Sequence, residues 1–340
     1  MDFDYLHLYV KDYQQASHWY QTCFGFLLTD QITTTEQITG IFQQGQITLL
    51  ISAPLSQQGA IADYLTQHPP GIGEVAFHVS HWSSFYKKLA EFNLKTRPII
   101  HPITQEIGVT FTAWGEVNHS VFSSRRVNFN HSATGLVAID HVVLNVSNTD
   151  FNAASQWYQT LFNWQIQQRF TIATPHSGLY SEALIDQDGK VQFNLNRPDS
   201  DHSQIQTFLD HNRGAGIQHV AFSSQNILGT VKKLRQNAVN FLTIPQNYYA
   251  RKQQQFETVN RSCSSEINWQ ALQDLGILID RKHPQSQQLL LQVFTRPLFG
   301  KSSCFWEIIE RRHQAAGFGE GNFQALYEAV ETMECQRLSI

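Results

Sequence analysis

The segment ASHWYQTCFGF at residues 16–26 is repeated as ASQWYQTLFNW at residues 154–164, with seven of eleven positions identical. Two further pairs of segments flank these copies, in the same order in both halves: FDYLHLYV (3–10) with IDHVVLNV (139–146), and GIGEVAF (71–77) with GIQHVAF (216–222). Three matched segments in one order indicate that the chain is a duplication of a single unit. Each half is therefore predicted to contain a strand, a helix, several strands, a glycine turn, a strand and a second helix.

The repeated segment predicts an amphipathic helix in each half. Apolar side chains recur at helical spacing in both copies: Tyr13, Ala16, Tyr20 and Cys23 in the first, and Phe151, Ala154, Tyr158 and Leu161 in the second. Asp12 and Asp150 stand just before these helices, where a carboxylate can accept hydrogen bonds from free backbone N–H groups. A second helix is predicted at 83–93 and at 226–239, after the strand that follows each glycine turn.

These elements predict an α+β fold of two tandem βαβββ-repeat modules, each a curved sheet that forms an open barrel. We expect an N-terminal domain at 1–125, a polar linker at 126–137 and a C-terminal domain at 138–340. A stripe of apolar residues between 323 and 330 predicts one last helix, which has no counterpart in the first half. A curved sheet of this kind encloses an inner face on which a ligand site can form.

Three predicted strands of the second half each carry one potential metal ligand: His141, His219 and Glu307. Because side chains alternate along a strand, each of these residues shares its face mainly with apolar neighbours. A buried carboxylate that has no partner is strongly unfavourable, so Glu307 needs a cation. Two imidazoles and one carboxylate form the facial triad that binds non-heme Fe(II) and leaves coordination positions open. The sequence therefore predicts an Fe(II) site, and the first half is expected to lack one.

A structural role for the same residues has to be weighed against this metal site. The chain has 15 histidines, most strand histidines are core residues, and Glu307 has Arg311 nearby as an alternative partner. The repeat favours the metal site, because the first half has Tyr5 in place of His141 and Glu74 in place of His219. The counterpart of Glu307 is expected near Ser123, and His7 and His78 are expected to be core or surface residues.

Composition and charge argue against several classes of binding partner for this chain. The formal net charge is −4 and the basic residues are scattered, which argues against nucleic-acid binding. No apolar run approaches the length of a membrane span, and the start MDFDYLHLYV lacks the pattern of a signal peptide. We therefore expect a cytoplasmic protein with neither a nucleic acid nor a membrane as its partner.

The chain resembles the 4-hydroxyphenylpyruvate dioxygenases, a family of the vicinal oxygen chelate superfamily. The likeness covers nearly the whole chain and is carried by five segments: IDHVVLNV (139–146), SQIQTFLDHNRGAGIQHVAF (203–222), LLLQVFTRPLF (289–299), FWEIIER (305–311) and GFGEGNFQALYEAVE (317–331). The run GFGEGNF before the last predicted helix is a hallmark of that family. The resemblance implies an Fe(II) enzyme that converts 4-hydroxyphenylpyruvate and O2 to homogentisate and CO2, in tyrosine catabolism or in the synthesis of quinone and tocopherol precursors. It also implies a homo-oligomer.

The resemblance further implies roles for individual residues. His141, His219 and Glu307 would be the iron ligands. Polar contacts to the substrate would come from five residues: Ser181, Asn196, Gln204, Gln218 and Gln292. The aromatic contacts and the base of the closing helix would comprise five more: Phe294 and Phe323 on either side of the substrate ring, Phe305 beside them, and Phe318 and Asn322 below the helix, which acts as a lid.

The chain departs from the family pattern at three positions. The family usually has Pro-x-Asn-Glu-Pro around the pocket asparagine, whereas here Asn194 and Arg197 replace the first Pro and the Glu. Tyr327 stands where Phe is usual. Three alternatives remain open: a 4-hydroxymandelate synthase, which shares the fold, metal and substrate; an extradiol catechol dioxygenase, against which GFGEGNF argues; and a non-enzymatic binding protein, against which the intact triad argues.

Overall fold

A computed structural model of the chain describes residues 1–123, 129, 131–173, 177–259, 267–283, 285–323 and 325. The first half consists of β1 (Asp2–Tyr9), α1 (Tyr13–Thr22), β2 (Leu27–Thr33), β3 (Gln37–Gln44), β4 (Ile47–Pro54), α2 (Ala60–Gln67), β5 (Gly71–His78), α3 (Trp82–Glu91), β6 (Arg97–Ile100), β7 (Ile107–Thr112) and β8 (Asn118–Phe122). The second half consists of β9 (Leu136–Asn145), α4 (Phe151–Phe162), β10 (Gln165–Ala173), β11 (Gly178–Ile185), β12 (Gln192–Pro198), α5 (Gln204–Asn212), β13 (Gly216–Ser224), α6 (Ile227–Gln236), α7 (Gln246–Val259), α8 (Trp269–Leu275), β14 (Leu278–Asp280), β15 (Leu289–Phe294) and β16 (Phe305–Arg312). The helix expected after Phe323, with Tyr327, and part of the expected linker lie outside the described residues.

Each half forms one curved, mixed sheet, and the two sheets have the same topology. The strand order is β2-β3-β4-β1-β5-β8-β7-β6 in the first and β10-β11-β12-β9-β13-β16-β15-β14 in the second. In both sheets the first strand of the half is parallel to one neighbour and antiparallel to the other. The predicted α+β class and the two tandem modules are confirmed, and the domain limits remain a prediction.

The central strands of both sheets are buried on both faces. All eight residues of β5 are buried, and in β9 the run from His141 to Asn145 is buried throughout. Helices α1 and α2 pack against the first sheet, and α4 and α5 pack against the second. Strands that are covered on both sides need nearly continuous apolar sequence, so a polar residue in them is conspicuous.

The repeated helices α1 and α4 form as predicted, but their N-termini are capped differently. The Asp12 carboxylate accepts a hydrogen bond of 2.9 Å from the backbone N–H of Gln15. Asp150 stands at the N-cap of α4, as expected, but it has helical backbone angles and its side chain makes no capping hydrogen bond. Instead, the Ser147 hydroxyl accepts a hydrogen bond of 3.1 Å from the N–H of Asp150 and donates to its carboxylate.

The two halves pack against each other through a shared apolar core. The largest cluster of buried apolar residues contains side chains from both sheets. Buried polar contacts also cross between the halves: the Tyr158 hydroxyl of α4 lies 2.9 Å from Nε2 of His119 on β8, and Nδ1 of His68 lies 2.8 Å from the backbone carbonyl of Asn212. In the part of the chain that the structure describes, every helix is too short or too polar to pass through a lipid bilayer.

Candidate metal centre

The register of three neighbouring strands brings His141, His219 and Glu307 together on the inner face of the second sheet. His141 on β9 lies opposite Ala221 on β13, and Ala221 lies beside Glu307 on β16. His219 lies two residues before Ala221 on the same face of β13. Because paired residues of adjacent strands point to the same side of a sheet, all three side chains are directed into the barrel.

The ligand atoms of these three residues lie close enough to bind one metal ion. They are all within 4.8 Å of one another, and they form the one such cluster of three found among the described residues. Oε2 of Glu307 lies 3.3 Å from Nε2 of His141 and 3.7 Å from Nε2 of His219. A transition metal with bonds of about 2.1 Å needs neighbouring ligand atoms about 3 Å apart, so the cluster is slightly wider than a bound metal would make it.

Each of the three residues uses its other polar atom for a hydrogen bond within the protein. Nδ1 of His141 lies 2.8 Å from the Asp140 carboxylate, and Nδ1 of His219 lies 3.1 Å from the amide oxygen of Gln218. The amide N–H of Gln292 donates to Oε1 of Glu307 over 2.9 Å. These contacts fix which atom of each ligand is free, so two Nε2 atoms and one carboxylate oxygen converge. This donor set matches a facial triad and suits Fe(II) and similar divalent ions.

Two of these outer partners reach the ligands because the strands are irregular. Asp140 and Gln218 are sequence neighbours of the two histidines, and strict alternation would direct them to the opposite face. The register between β9 and β13 shifts at both positions. A shift of this kind is typical of a β-bulge, which redirects a side chain beside a functional site. Gln218, predicted as a substrate contact, thus lies against His219.

Charge within the site shifts the pKa values of its groups in opposite directions. Burial would lower the pKa of His141, but the carboxylates of Glu307 and Asp140 outweigh burial and raise it to about 9. Burial lowers the pKa of His219 well below its usual value, and the charge of His141 lowers it further. Burial would raise the pKa of Asp140, but the Arg311 guanidinium holds it well below its usual range. His141 is therefore protonated at neutral pH, and His219 is neutral.

The corresponding positions of the first half are Tyr5, Glu74 and Ser120. In the first sheet, Glu74 on β5 pairs with His7 on β1. In the second sheet, His219 on β13 pairs in the same way with Val143 on β9, so Glu74 corresponds to His219. Ser120 on β8 pairs with Ala76 on β5, just as Glu307 on β16 pairs with Ala221 on β13. The counterpart of Glu307, expected near Ser123, is therefore Ser120, three residues earlier. The position depends on strand register, which the sequence similarity between β8 and β16 is too weak to define.

At these three positions of the first half, the side chains form hydrogen bonds with one another. The hydroxyls of Tyr5 and Ser120 both donate to Oε1 of Glu74, the former over 2.9 Å. Oε2 of Glu74 lies 2.9 Å from Nδ1 of His7, whose Nε2 lies 2.7 Å from the Ser52 hydroxyl. Burial would raise the pKa of Glu74, but the hydrogen bonds and charge of His7, with those from Ser120 and Tyr5, lower it. His7 is thus a core residue, as expected, and so is His78, which lies 3.0 Å from a backbone carbonyl.

Aromatic side chains surround the triad of the second half. The ring of Phe305 stacks on His219 with centroids 4.8 Å apart, and Phe318 lies edge-on to His141 at 5.2 Å. Phe294 packs against Phe305 at 6.2 Å. Phe323 stacks at 5.4 Å on Phe170, a residue of β10 that the sequence analysis did not select. The predicted aromatic residues thus line one region, and the proposed sandwich of a substrate ring remains a prediction.

Several buried polar atoms on the same inner face have no partner among the described residues. They are the hydroxyl of Ser181, both amide atoms of Asn145 and the amide oxygen of Asn194. Asn196 lies between Ser181 and Asn145 in register, and Asn194 lies opposite Val143, so these residues share the inner face. Buried polar groups almost always have a partner, and this cluster therefore suits a polar ligand or ordered water. Asn145 was not selected from sequence, although it lies on the face of His141.

Two further predicted substrate contacts are engaged with protein groups. The Gln292 amide donates to Glu307 and, over 2.8 Å, to the backbone carbonyl of Phe318, and it accepts a hydrogen bond of 3.0 Å from Asn322. The amide oxygen of Asn322 accepts a hydrogen bond of 2.7 Å from the Tyr248 hydroxyl. Both amides therefore connect Glu307 to the segment that follows β16.

Two more residues singled out from the sequence, Gln204 and Arg197, form hydrogen bonds with nearby protein groups. Gln204 is half-buried as the first residue of α5, and its backbone N–H donates to the Ser177 hydroxyl over 2.9 Å. Arg197 lies on the outer face, with its guanidinium 4.8 Å from the centre of the Tyr180 ring and hydrogen-bonded to Asn148. Of the two replacements in the sequence NLNRP, only Asn194 therefore faces the candidate site.

Comparisons with known proteins identify relatives of this arrangement. The family model described as the Glyoxalase/Bleomycin resistance protein/Dioxygenase superfamily matches residues 2–113 and 138–260. An uncharacterized protein of Synechocystis sp., slr0090, is 55% identical over 99% of both chains. A 4-hydroxyphenylpyruvate dioxygenase of Legionella pneumophila is 34% identical over 87% of this chain and 85% of its own. The solved structure of a mutant 4-hydroxymandelate synthase from Streptomyces coelicolor superimposes with a TM-score of 0.83 at 24% identity, covering 98% of each chain, and supports the fold.

Proposed function

The chain belongs to the glyoxalase/bleomycin resistance protein/dioxygenase superfamily, among the relatives of the 4-hydroxyphenylpyruvate dioxygenases, and we propose that it is itself an Fe(II)-dependent dioxygenase of this kind. Its reaction would convert 4-hydroxyphenylpyruvate and O2 to homogentisate and CO2. The observation that carries this proposal is the convergence of Nε2 of His141, Nε2 of His219 and Oε2 of Glu307 inside the second barrel.

The residues around the triad suit Fe(II) and a 2-oxo acid. When bound, Fe(II) would supply coordination positions for the 2-oxo acid and for O2, together with the electrons that activate O2. The protein holds both imidazoles in the tautomer that leaves Nε2 free, through Asp140 and Gln218. It also holds one oxygen of Glu307 away from the metal position, through Gln292. The triad is thus preorganised by its hydrogen-bonded surroundings.

The surrounding pocket suits an aromatic substrate with polar ends. Phe294, Phe305 and Phe318 form an apolar wall that excludes water from a reactive centre. Aromatic rings are favourable stacking partners for a phenyl ring. On the opposite side, the unpartnered atoms of Ser181 and Asn145 would orient the substrate through hydrogen bonds that add no charge.

The same proposal includes the cellular setting expected from the sequence. The product would enter tyrosine breakdown or serve as a precursor of quinones and tocopherols. The protein would act in the cytoplasm as a homo-oligomer. Size-exclusion chromatography with light scattering tests the assembly, because a monomer at micromolar concentration would contradict it.

The decisive experiment is O2 uptake by Fe(II)-loaded protein supplied with 4-hydroxyphenylpyruvate, with the product identified by chromatography. We expect homogentisate and CO2 in equal amounts, with one O2 consumed for each. Formation of 4-hydroxymandelate would replace the proposed reaction by that of the synthase, which releases the same CO2. Iron binding without O2 uptake would contradict the substrate assignment and favour a binding protein.

Replacement of one ligand tests the metal centre independently of turnover. The substitution His219→Ala removes one of three ligand atoms, and we expect the bound iron to fall at least tenfold. The matched control is His211→Ala, which truncates an exposed histidine on α5 of the same domain. Metal analysis after dialysis measures the effect. Equal iron content in the two variants would exclude His219 as a ligand.

A further inference from the structure

The Asp140 carboxylate that contacts His141 is itself held by Arg311. Nε and Nη2 of Arg311 donate to the two oxygens of Asp140 over 2.8 and 2.7 Å. Both side chains are mostly buried, with 8% of Asp140 and 18% of Arg311 exposed. A two-pronged contact between planar groups fixes the rotation of the carboxylate as well as its position. The orientation of the His141 ring therefore depends on Arg311.

The remaining amino group of Arg311 binds a different part of the chain. Its Nη1 donates to the backbone carbonyl of Ala315 over 3.1 Å and to that of Gly317 over 2.7 Å. We name residues Ala315–Asn322 the closing segment. This segment carries Phe318, whose ring lies edge-on to His141. One guanidinium thus contacts both the partner of a metal ligand and the closing segment.

A second link connects the closing segment to Glu307. The Gln292 amide N–H groups bind both Glu307 and the carbonyl of Phe318, and the Gln292 oxygen accepts from Asn322. Two of the three candidate ligands are therefore connected to the same eight residues, Glu307 by buried hydrogen bonds and His141 by partly buried ones. The Arg311 link is the one that can be altered without touching a residue bonded directly to a ligand.

We propose that Arg311 is a positioning residue that couples occupancy of the metal site to the arrangement of the closing segment. The inference rests on the metal centre of the proposed function and extends it. A bound metal holds the His141 ring, the ring holds Asp140, and Asp140 holds the guanidinium that binds Ala315 and Gly317. Coupling between two binding events is reciprocal, so an ordered closing segment also strengthens metal binding.

The test compares the same substitution at two adjacent arginines. In Arg311→Lys, a single ammonium group keeps the positive charge but cannot bind Asp140 with two prongs and reach two carbonyls as well. Arg312→Lys is the matched control, because Arg312 donates over 2.6 Å to Glu310, which is not a candidate ligand. Unfolding of the metal-free proteins in urea shows whether both variants keep the wild-type fold.

Two measurements on these proteins report the coupling without turnover. Titration of metal-free protein with Co(II), followed by visible absorption, gives the metal affinity and the ligand-field spectrum. Cleavage by chymotrypsin after Phe318, with and without Co(II), gives the protection of the closing segment. In wild type and Arg312→Lys we expect Co(II) to slow this cleavage at least tenfold. In Arg311→Lys we expect a 10- to 100-fold loss of Co(II) affinity, an altered spectrum and little protection by metal.

A third variant perturbs the closing segment from its own side. Gly319 has a positive φ of 76°, and a Cβ at this position would collide with the amide oxygen of Gln292. Gly319→Ala should therefore displace the closing segment and weaken Co(II) binding, although residue 319 is not a ligand. This variant also covers the case in which Arg311→Lys fails to fold.

The outcomes separate this inference from the proposed function. Wild-type affinity and spectrum in both Arg311→Lys and Gly319→Ala would overturn the coupling and leave the metal centre intact. Equal losses in Arg311→Lys and Arg312→Lys would overturn it as well, because they would reflect a general effect of replacing an arginine at this end of β16 rather than the particular contacts of Arg311. Absence of Co(II) and Fe(II) binding by the wild type would overturn both proposals. Coupling with no O2 uptake would support Arg311 and contradict the dioxygenase.

Discussion

Two buried serines of the second half differ in what their hydroxyls contact. The Ser181 hydroxyl lies on the inner face of β11 and has no partner among the described residues. The Ser155 hydroxyl on α4 donates to the buried carboxylate of Glu182. A hydroxyl with a protein partner contributes to stability, whereas a buried one that has none is unfavourable for folding. The two serines therefore separate a role in binding from a role in folding.

We predict opposite effects for alanine at these two positions. Ser181→Ala should leave the free energy of unfolding within about 0.5 kcal/mol of wild type and raise KM for 4-hydroxyphenylpyruvate about tenfold. Ser155→Ala should lower the free energy of unfolding by about 1–2 kcal/mol and leave KM unchanged. Urea unfolding and initial rates measure the two quantities. A loss of stability without a change of KM in Ser181→Ala would exclude the hydroxyl as a substrate contact.

Among individual residues, the candidate ligands could be predicted from the sequence better than the residues that surround them. His141, His219 and Glu307 are conspicuous because the repeat supplies a second copy in which the same positions differ. Asp140 and Gln218 could not be identified as partners of the ligands, because alternation directs them away and only a shift of strand register brings them back. Arg311 was considered as a partner of Glu307, and the structure pairs it with Asp140.

Among the elements, the repeated helices α1 and α4 begin in different ways. Asp12 accepts a hydrogen bond from an N–H of the first turn of α1. Before α4 the same role falls to Ser147, four residues ahead of the first helical residue, and Asp150 only accepts from the Ser147 hydroxyl. Identical aspartates in a repeated segment thus contribute unequally to their helices.

We predict that three alanine substitutions rank according to these contacts. Asp12→Ala and Ser147→Ala should each lower the free energy of unfolding by about 1 kcal/mol, because each leaves an N–H group at the start of a helix without its acceptor. Asp150→Ala should cost only a few tenths of a kcal/mol, since its carboxylate caps no N–H group. Urea unfolding monitored by circular dichroism measures the order. A larger loss in Asp150→Ala than in Ser147→Ala would contradict it.

The predictability of the elements follows from the repeat. Helices α1, α3, α4 and α6 and the strands around them were indicated by segments that occur twice. Helices α7 and α8 belong to a stretch between α6 and β14 that has no counterpart in the first half. Their sequence, rich in glutamine and asparagine, lacks a clear apolar face, so pattern alone did not indicate them.

For the whole molecule, His119 and Tyr158 form a buried polar contact between the halves. Burial lowers the pKa of His119 to about 4. Nδ1 of this histidine lies 3.3 Å from the carbonyl of Val75, which fixes the proton there and leaves Nε2 to accept from Tyr158. Protonation of His119 therefore breaks a contact between the halves.

We predict that acid lowers the free energy of unfolding through protonation of His119. The unfolded chain takes up the proton near pH 6.5 and the folded chain only near pH 4, so the stabilising effect is complete above pH 6.5 and is lost as the pH falls toward 4. Its full size is about 3 kcal/mol. Urea unfolding between pH 4.5 and 7.5 measures it, and His119→Gln, which retains an acceptor, should show a flatter profile. Equal slopes in both proteins would assign the acid sensitivity to other groups.

The overall organisation was predictable only in part. The order of matched segments is enough to predict two modules and to place the candidate metal site in the second. The contact between the modules could not be predicted, because it joins residues such as His119 and Tyr158 that belong to no common motif. The strand register that sets Ser120 as the counterpart of Glu307 also depends on the whole sheet rather than on local sequence.

The hydrogen-bonded group at Tyr5, Glu74 and Ser120 has a consequence for the history of the duplication. A histidine at position 74 alone would leave the hydroxyls of Tyr5 and Ser120 and a nitrogen of His7 without their acceptor. Each unpaired buried group costs about 1–3 kcal/mol, against a total stability of about 5–15 kcal/mol. A second ligand set would require three substitutions, at Tyr5, Glu74 and Ser120, and we expect each single one to lower the free energy of unfolding without creating a metal site. Stability alone therefore favours keeping the two halves different.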